Sequence, residues 1–162
     1  MITAQQLTKR IRVLIVTFII FLALSGITAF PLEWELSILT HHSSRMPEFM
    51  QHWYQQVYSA IKETNSKYPF MSYGTDWLAF AHIVIATVFI GPLKDPVKNI
   101  WVIQFGMIAC IMVFPLAFIC GSIREIPLYW QLIDCSFGLF GFFPLYSCYR
   151  SILQLEKINS TK

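Results

Sequence analysis

Two ionisable residues, His82 and Asp134, stand inside long apolar stretches of this sequence. A titratable group in such surroundings is costly, and it points either to a partner or to a task. An imidazole and a carboxylate within reach of a substrate can act as an acid–base pair. They can equally satisfy one another, or nearby backbone, and serve only to tie two helices together. Arg124, Asp76 and Gln131 lie near the ends of the same stretches. With His82 and Asp134 they make up a candidate binding pocket that offers a ligand both charges and an amide.

The other three histidines are His41, His42 and His52. Imidazole is the commonest metal ligand, and two imidazoles with a carboxylate suit zinc or a non-haem iron. His82, His52 and His42 are the candidate ligands, with Asp76 or Asp134 as the carboxylate. Two imidazoles alone would suit the axial positions of a haem, so a haem or a divalent metal is the cofactor to look for. The plainer alternative makes His41, His42 and His52 solvated surface residues. His41 and His42 are adjacent, and a regular helix turns neighbours to different sides. No G-x-S-x-G, H-E-x-x-H or phosphate-cradling glycine loop is present. Cys110, Cys120, Cys135 and Cys148 all lie in apolar stretches without a C-x-x-C pair, which suits packing. Cys120 and Cys135 are near enough in expected depth to form a disulfide.

Helices in a lipid solvent must place these groups. Of the 162 residues, 56% are hydrophobic and 13% charged, and the mean hydropathy is +0.54. Soluble domains carry about 25% charged residues. The expected fold is therefore an all-α integral membrane protein, one membrane domain over residues 1–162. It is a bundle of four transmembrane helices near 13–30, 77–93, 100–121 and 126–149. Thr75 and Asp76 are N-cap candidates for the second span, and Gly91-Pro92 closes it. Pro115 and Pro144 predict kinks in the third and fourth. The stretch Arg12 to Phe30 resembles the first helix of cytochrome b-type membrane anchors in its basic start and Leu24-Ser25-Gly26 close. The histidine that such helices carry is absent here, so no haem role follows from the resemblance.

Lys and Arg counts in the short flanks orient such a chain. With the N-terminus inside, the cytoplasmic side holds Lys9, Arg10, Arg12, Lys94, Lys98, Arg150, Lys157 and Lys162, against Arg45, Lys62, Lys67 and Arg124 outside. Both termini are expected in the cytoplasm, with the 31–74 loop on the outer side. His82 then lies about 9 Å and Asp134 about 12 Å below the outer ends of their spans, at 1.5 Å per residue. Stripes of small residues share those faces: Thr75, Ala79, His82 and Ala86 on the second, Gln131, Asp134, Gly138 and Gly141 on the fourth. Gly106, Cys110, Ala117 and Gly121 align on the third. Such stripes mark close helix approach.

Within the outer loop, Met50, Trp53, Tyr54, Val57 and Ile61 recur at helical spacing after Pro47, while Glu48, Gln51, His52, Gln55, Ser59, Lys62 and Glu63 take the other face. This pattern predicts an amphipathic helix lying in the membrane interface. A short helix is expected over Leu32 to Leu39.

The favoured function is a binding or assembly module with an outward-facing polar pocket for a lipid-soluble ligand, a haem or a metal. An alternative is a small membrane enzyme acting on a lipid-like substrate, with Asp134 and His82 as acid–base pair. A second alternative is an oligomeric transporter or channel subunit, because the inner halves of the spans hold no ionisable residue to line a path through one chain. The expected partners are the bilayer and a second copy or a membrane complex. A net charge of +3 is too small to suggest nucleic acid.

Overall fold

A computed structural model describes residues 3–160, and every regular element among them is helical. The order is α1 (Ala4–Ala29), α2 (Leu32–His41), α3 (Glu48–Lys67), α4 (Tyr73–Val88), α5 (Ile90–Lys94), α6 (Ile100–Pro115), α7 (Gly121–Ile123) and α8 (Leu128–Ser160). Short 3₁₀ turns at Ser43–Arg45 and Pro69–Ser72 flank α3. Four helical stretches are long and apolar enough to cross a membrane: Ala4–Ala29, Pro69–Lys94, Ile100–Ile123 and Leu128–Ser160. The chain divides into two compact units. One joins the residues up to Phe21 with those from Ala86 onward, and the other is Leu22–Ile85.

The first unit is organised by α6 against α8, and its closest contacts fix an antiparallel register. A Cβ at Gly106 would meet the Leu145 side chain at 2.8 Å, one at Gly141 the Cys110 sulfur at 2.9 Å, and one at Gly138 the Cys110 carbonyl oxygen at 2.6 Å. One at Gly121 would meet Gln131 at 2.9 Å. As the α6 number rises the α8 number falls. Small residues thus let two backbones approach, as the sequence stripes predict. Phe89 is buried beside Phe18, the ring centroids 4.7 Å apart.

Two helices run well past the apolar runs expected at 13–30 and 126–149. In α1, Leu7, Ile11 and Ile15 are buried at i, i+4, i+8; in α8, Leu145, Cys148, Ile152 and Leu155 are buried at the same kind of spacing. Polar residues between them lower the local hydropathy and conceal an amphipathic continuation. Arg10 donates a hydrogen bond to Ser147 Oγ at 2.7 Å, joining the α1 extension to α8.

Pro115 ends the regular ladder of α6, and the backbone widens into a π-helical stretch over Leu116–Cys120. Pro144, by contrast, lies within an uninterrupted α8. The turn between α7 and α8 closes with Ile126 N–H on the Gly121 carbonyl (2.9 Å) and Glu125 N–H on the Ser122 carbonyl (3.2 Å). This is the paired closure of a Schellman motif. Glu125 occupies its left-handed position at φ 57°, where glycine is the usual residue. All four cysteines are free, so Cys120 and Cys135 are not joined.

In the second unit, the end of α1 lies against α4. A Cβ on Gly26 would sit 2.7 Å from the Ala79 carbonyl oxygen and 2.9 Å from His82 Cβ. Ala79 is fully buried there. The α4 start differs from the sequence expectation: the Pro69–Ser72 turn leads straight into the helix at Tyr73, so Thr75 and Asp76 lie in its first turn rather than capping it. Nor does Gly91-Pro92 stop the chain's helical course, because α5 carries it to Lys94.

Gly26→Ala should destabilise the protein by about 1–3 kcal/mol, as forced overpacking does, because the obstructing atom is a backbone oxygen. Gly74→Ala, with open space at its Cβ, should leave the midpoint of denaturation unchanged or raised. Equal midpoints for the two variants would refute the tight crossing at Gly26. At Glu125, substitution by Gly should stabilise by about 1 kcal/mol, the cost of holding an L-residue in the left-handed region, measured by the same denaturation.

Candidate functional site

The segment between α1 and α4 builds a site by itself. Helix α2 packs on α3, and the α3 surface divides as its pattern predicts: Met50, Trp53, Tyr54, Val57 and Ile61 are half-buried, while Glu48, His52, Gln55, Ser59, Lys62 and Glu63 are exposed. Gln51 departs from the pattern. It is half-buried, and its Nε2 donates to the Met46 carbonyl at 2.7 Å. Among the described residues only Leu36 and Ser43 are buried on the α2 side, so side-chain hydrogen bonds carry much of the alignment.

A relay supplies it. Asn65 Nδ2, near the end of α3, donates to Glu33 Oε2 on α2 at 2.6 Å. Ser72 Oγ, at the end of the 3₁₀ turn, donates in turn to Asn65 Oδ1. One amide thereby joins α2, α3 and the entry to α4, using both of its ends. A hydrogen bond onto a carboxylate is stronger than one between neutral groups. Ser43 Oγ donates to the Thr40 carbonyl at 2.7 Å and holds the other end of α2.

Beside the relay lies an open cavity of about 500 Å³. Its walls come from the α1–α2 connection and α2 (Phe30, Trp34, Ser37 and Glu33 among them), from α3 (Tyr58, Ile61, Asn65) and from the α4 entry (Ser72, Thr75, Asp76). The lining combines aromatic and aliphatic residues with hydroxyl-bearing ones and two carboxylates. That is the make-up of a site for a molecule with an apolar body and a polar head. A shallower hollow, lined by Thr40, His41 and His42, shares Ser37 and Tyr58 with it.

Of the residues expected to form the pocket, only Asp76 lines this cavity. His82 is half-buried on α4, and its Nδ1 lies 2.8 Å from the Leu78 carbonyl. That carbonyl can only accept, so Nδ1 is the donor. Asp134, Gln131 and Arg124 belong to the other unit. There Asp134 is half-buried, and Arg124 is exposed in the α7–α8 turn. Gln131 is buried with its Nε2 donating to the Ile126 carbonyl at 2.7 Å, which braces that same turn.

The metal expectation gains nothing from the geometry. Among the described residues no group of three or more His, Cys, Asp or Glu side chains is placed to hold an ion. His42 Nδ1 is committed to the Ile38 carbonyl at 2.9 Å, and His52 is exposed on the polar face of α3. Sequence reasoning missed Glu33, Asn65 and Tyr58. The signal available for them was the helical spacing of Tyr58, Ile61 and Asn65 along α3, together with the acidic start of α2.

Asn65→Leu should remove both relay bonds and leave Glu33 without its donor. Losing a bond to a charged group costs about 1.5–3 kcal/mol, so local opening of the Pro69–Ser72 turn should rise at least tenfold. Tryptic cleavage after Lys67, which precedes that turn, reads this out. An unchanged cleavage rate would remove the relay from the account. Comparison of the chain with protein-family models, with curated proteins and with solved structures finds no match.

Proposed function

We propose that this protein is a four-span membrane protein that binds an amphiphile, with the cavity between α2, α3 and the start of α4 as its binding site. The observation that carries the reading is that cavity: about 500 Å³ of space lined by both apolar and polar residues, Phe30, Trp34 and Ile61 with Glu33, Ser72 and Asp76. A soluble metabolite would not need the apolar part, and a plain hydrocarbon would not need two carboxylates. An amphiphile uses both.

The position of the segment supports the same conclusion. It joins two of the four membrane-crossing stretches. With the termini in the cytoplasm, as the excess of Lys and Arg on that side favours, the segment lies at the outer face. The surroundings are rich in exposed aromatic residues, with Trp34, Phe70, Tyr73 and Trp77 all more than half exposed. Trp and Tyr concentrate at membrane–water interfaces. Helix α3, half apolar and half charged, suits the same layer. The bilayer is thus the partner and the source of the ligand, and binding rather than turnover is the task.

Filling the cavity tests the reading. Ser37→Trp places a large ring in the wall common to both hollows. Native mass spectrometry of the detergent-solubilised protein should show a retained amphiphile on the wild type and at least tenfold less on the variant, at equal helicity by circular dichroism. No adduct on the wild type, or equal retention by both, would refute the proposal.

A further inference from the structure

Resting on the amphiphile-binding reading, we infer that the head group held in this cavity is a protonated primary amine, gripped by Asp76 and Glu33.

The charges of the segment argue for it. Among the residues lining the cavity are two carboxylates and no Lys, Arg or His. The lysines of Leu22–Ile85 have other partners: Lys67 pairs with Glu63 at 2.6 Å, and the Lys62 ammonium stands 5.6 Å over the ring of Tyr58, a wall residue, without being part of the wall itself. Arg45 is exposed and is not part of the wall. Asp76 is half-buried and makes no hydrogen bond or ion pair with any described residue, and the one hydrogen bond that Glu33 receives is from the neutral Asn65 amide. The cavity therefore holds two carboxylates that form no ion pair with any described Lys or Arg. Partly desolvated charges of one sign concentrate the opposite one.

The neighbours narrow the kind of cation. A metal ion is disfavoured because only two carboxyl groups are present, without a third His, Cys, Asp or Glu. The hydroxyls of Ser72 and Thr75 also line the wall, and together with the carboxylates they supply acceptors for the three N–H donors of a primary ammonium. A quaternary ammonium would leave those acceptors unused. Phe30 and Trp34 are on the same wall, where ring faces attract a cation and ring edges can meet an acyl or alkyl chain.

Asp76 has a rival role, since an acid in the first turn of a helix favours the helix dipole. A variant series separates the two. Isothermal titration of detergent-solubilised protein would use dihexanoyl phosphatidylethanolamine, the neutral dihexanoyl glycerol and free ethanolamine as probes. The wild type should prefer the amine lipid to the neutral one by at least tenfold. In Asp76→Asn and Glu33→Gln that preference should shrink about tenfold while the neutral lipid still binds, which shows that the cavity remains formed.

Equal binding of both lipids by the wild type would overturn the amine assignment and leave the amphiphile site standing. Binding of neither would overturn both. A variant that melts earlier yet keeps the wild-type preference would assign Asp76 to the helix dipole alone and defeat the inference. Tight binding of free ethanolamine would make the head group alone the ligand. Binding only of the lipid form would identify a membrane lipid as the source.

Discussion

At Gly138 and at Gly26 two helix backbones come so close that a single methyl group would overlap the carbonyl facing it. Each unit of the protein depends on one such approach. The first locks α8 against α6, and the second locks α4 against the end of α1. Where helices meet in lipid, hydrophobic driving force is weak and van der Waals contact across small residues replaces it; the helices joined here are long and apolar enough to cross a membrane. The consequence is a register set by where side chains are missing. Leu145 fits over Gly106 and Gln131 over Gly121 only because no Cβ is present there. Gln131 can then brace the Glu125 turn through the Ile126 carbonyl, so even a strained backbone position traces back to a glycine contact one helix away.

The segment Leu22–Ile85 adds a second kind of constraint. Here few side chains are fully buried, and directional bonds take over from packing density. Asn65 is suited to the central place because its amide donates at one end and accepts at the other. A serine in its place could not reach both Glu33 and Ser72, and an aspartate would repel Glu33. The relay also decides what the cavity offers a ligand: one Glu33 oxygen is occupied by Asn65, while Asp76 is presented uncommitted. The residues that position α2 on α3 thus also line the cavity.

Legibility in the sequence followed the range of the interactions. Apolar runs announced four helices long and apolar enough to cross a membrane, because local composition alone decides whether a helix tolerates lipid. The two-faced α3 was equally readable, since its period shows in the residue spacing and reappears in which side chains are exposed. The terminal extensions of α1 and α8 were not, because Leu7 and Ile152 are separated from the main runs by charged residues, and a hydropathy run sees averages rather than faces. The expected pocket and the cavity share only Asp76 for a related reason. Cost in lipid singles out His82 and Asp134, whereas Glu33 and Asn65 sit in an ordinary polar loop and gain meaning only from how α2 meets α3. No pattern along one strand of sequence encodes that meeting.

The same contrast explains why Asp76 was the one expected residue to reappear at the cavity. It stands at the joint between a lipid-compatible helix and a polar segment, so it is visible by both criteria. Its neighbours on α4 divide along that joint. Thr75, one residue before it, faces the cavity, whereas Ala79 and His82, one and nearly two turns further on, lie against Gly26. Packing around Gly26 therefore fixes the rotation of α4, and the rotation of α4 aims Asp76. A displacement of the α1–α4 crossing would turn the carboxylate out of the cavity without touching any residue that lines it, so the tight glycine contact is itself part of what makes the site.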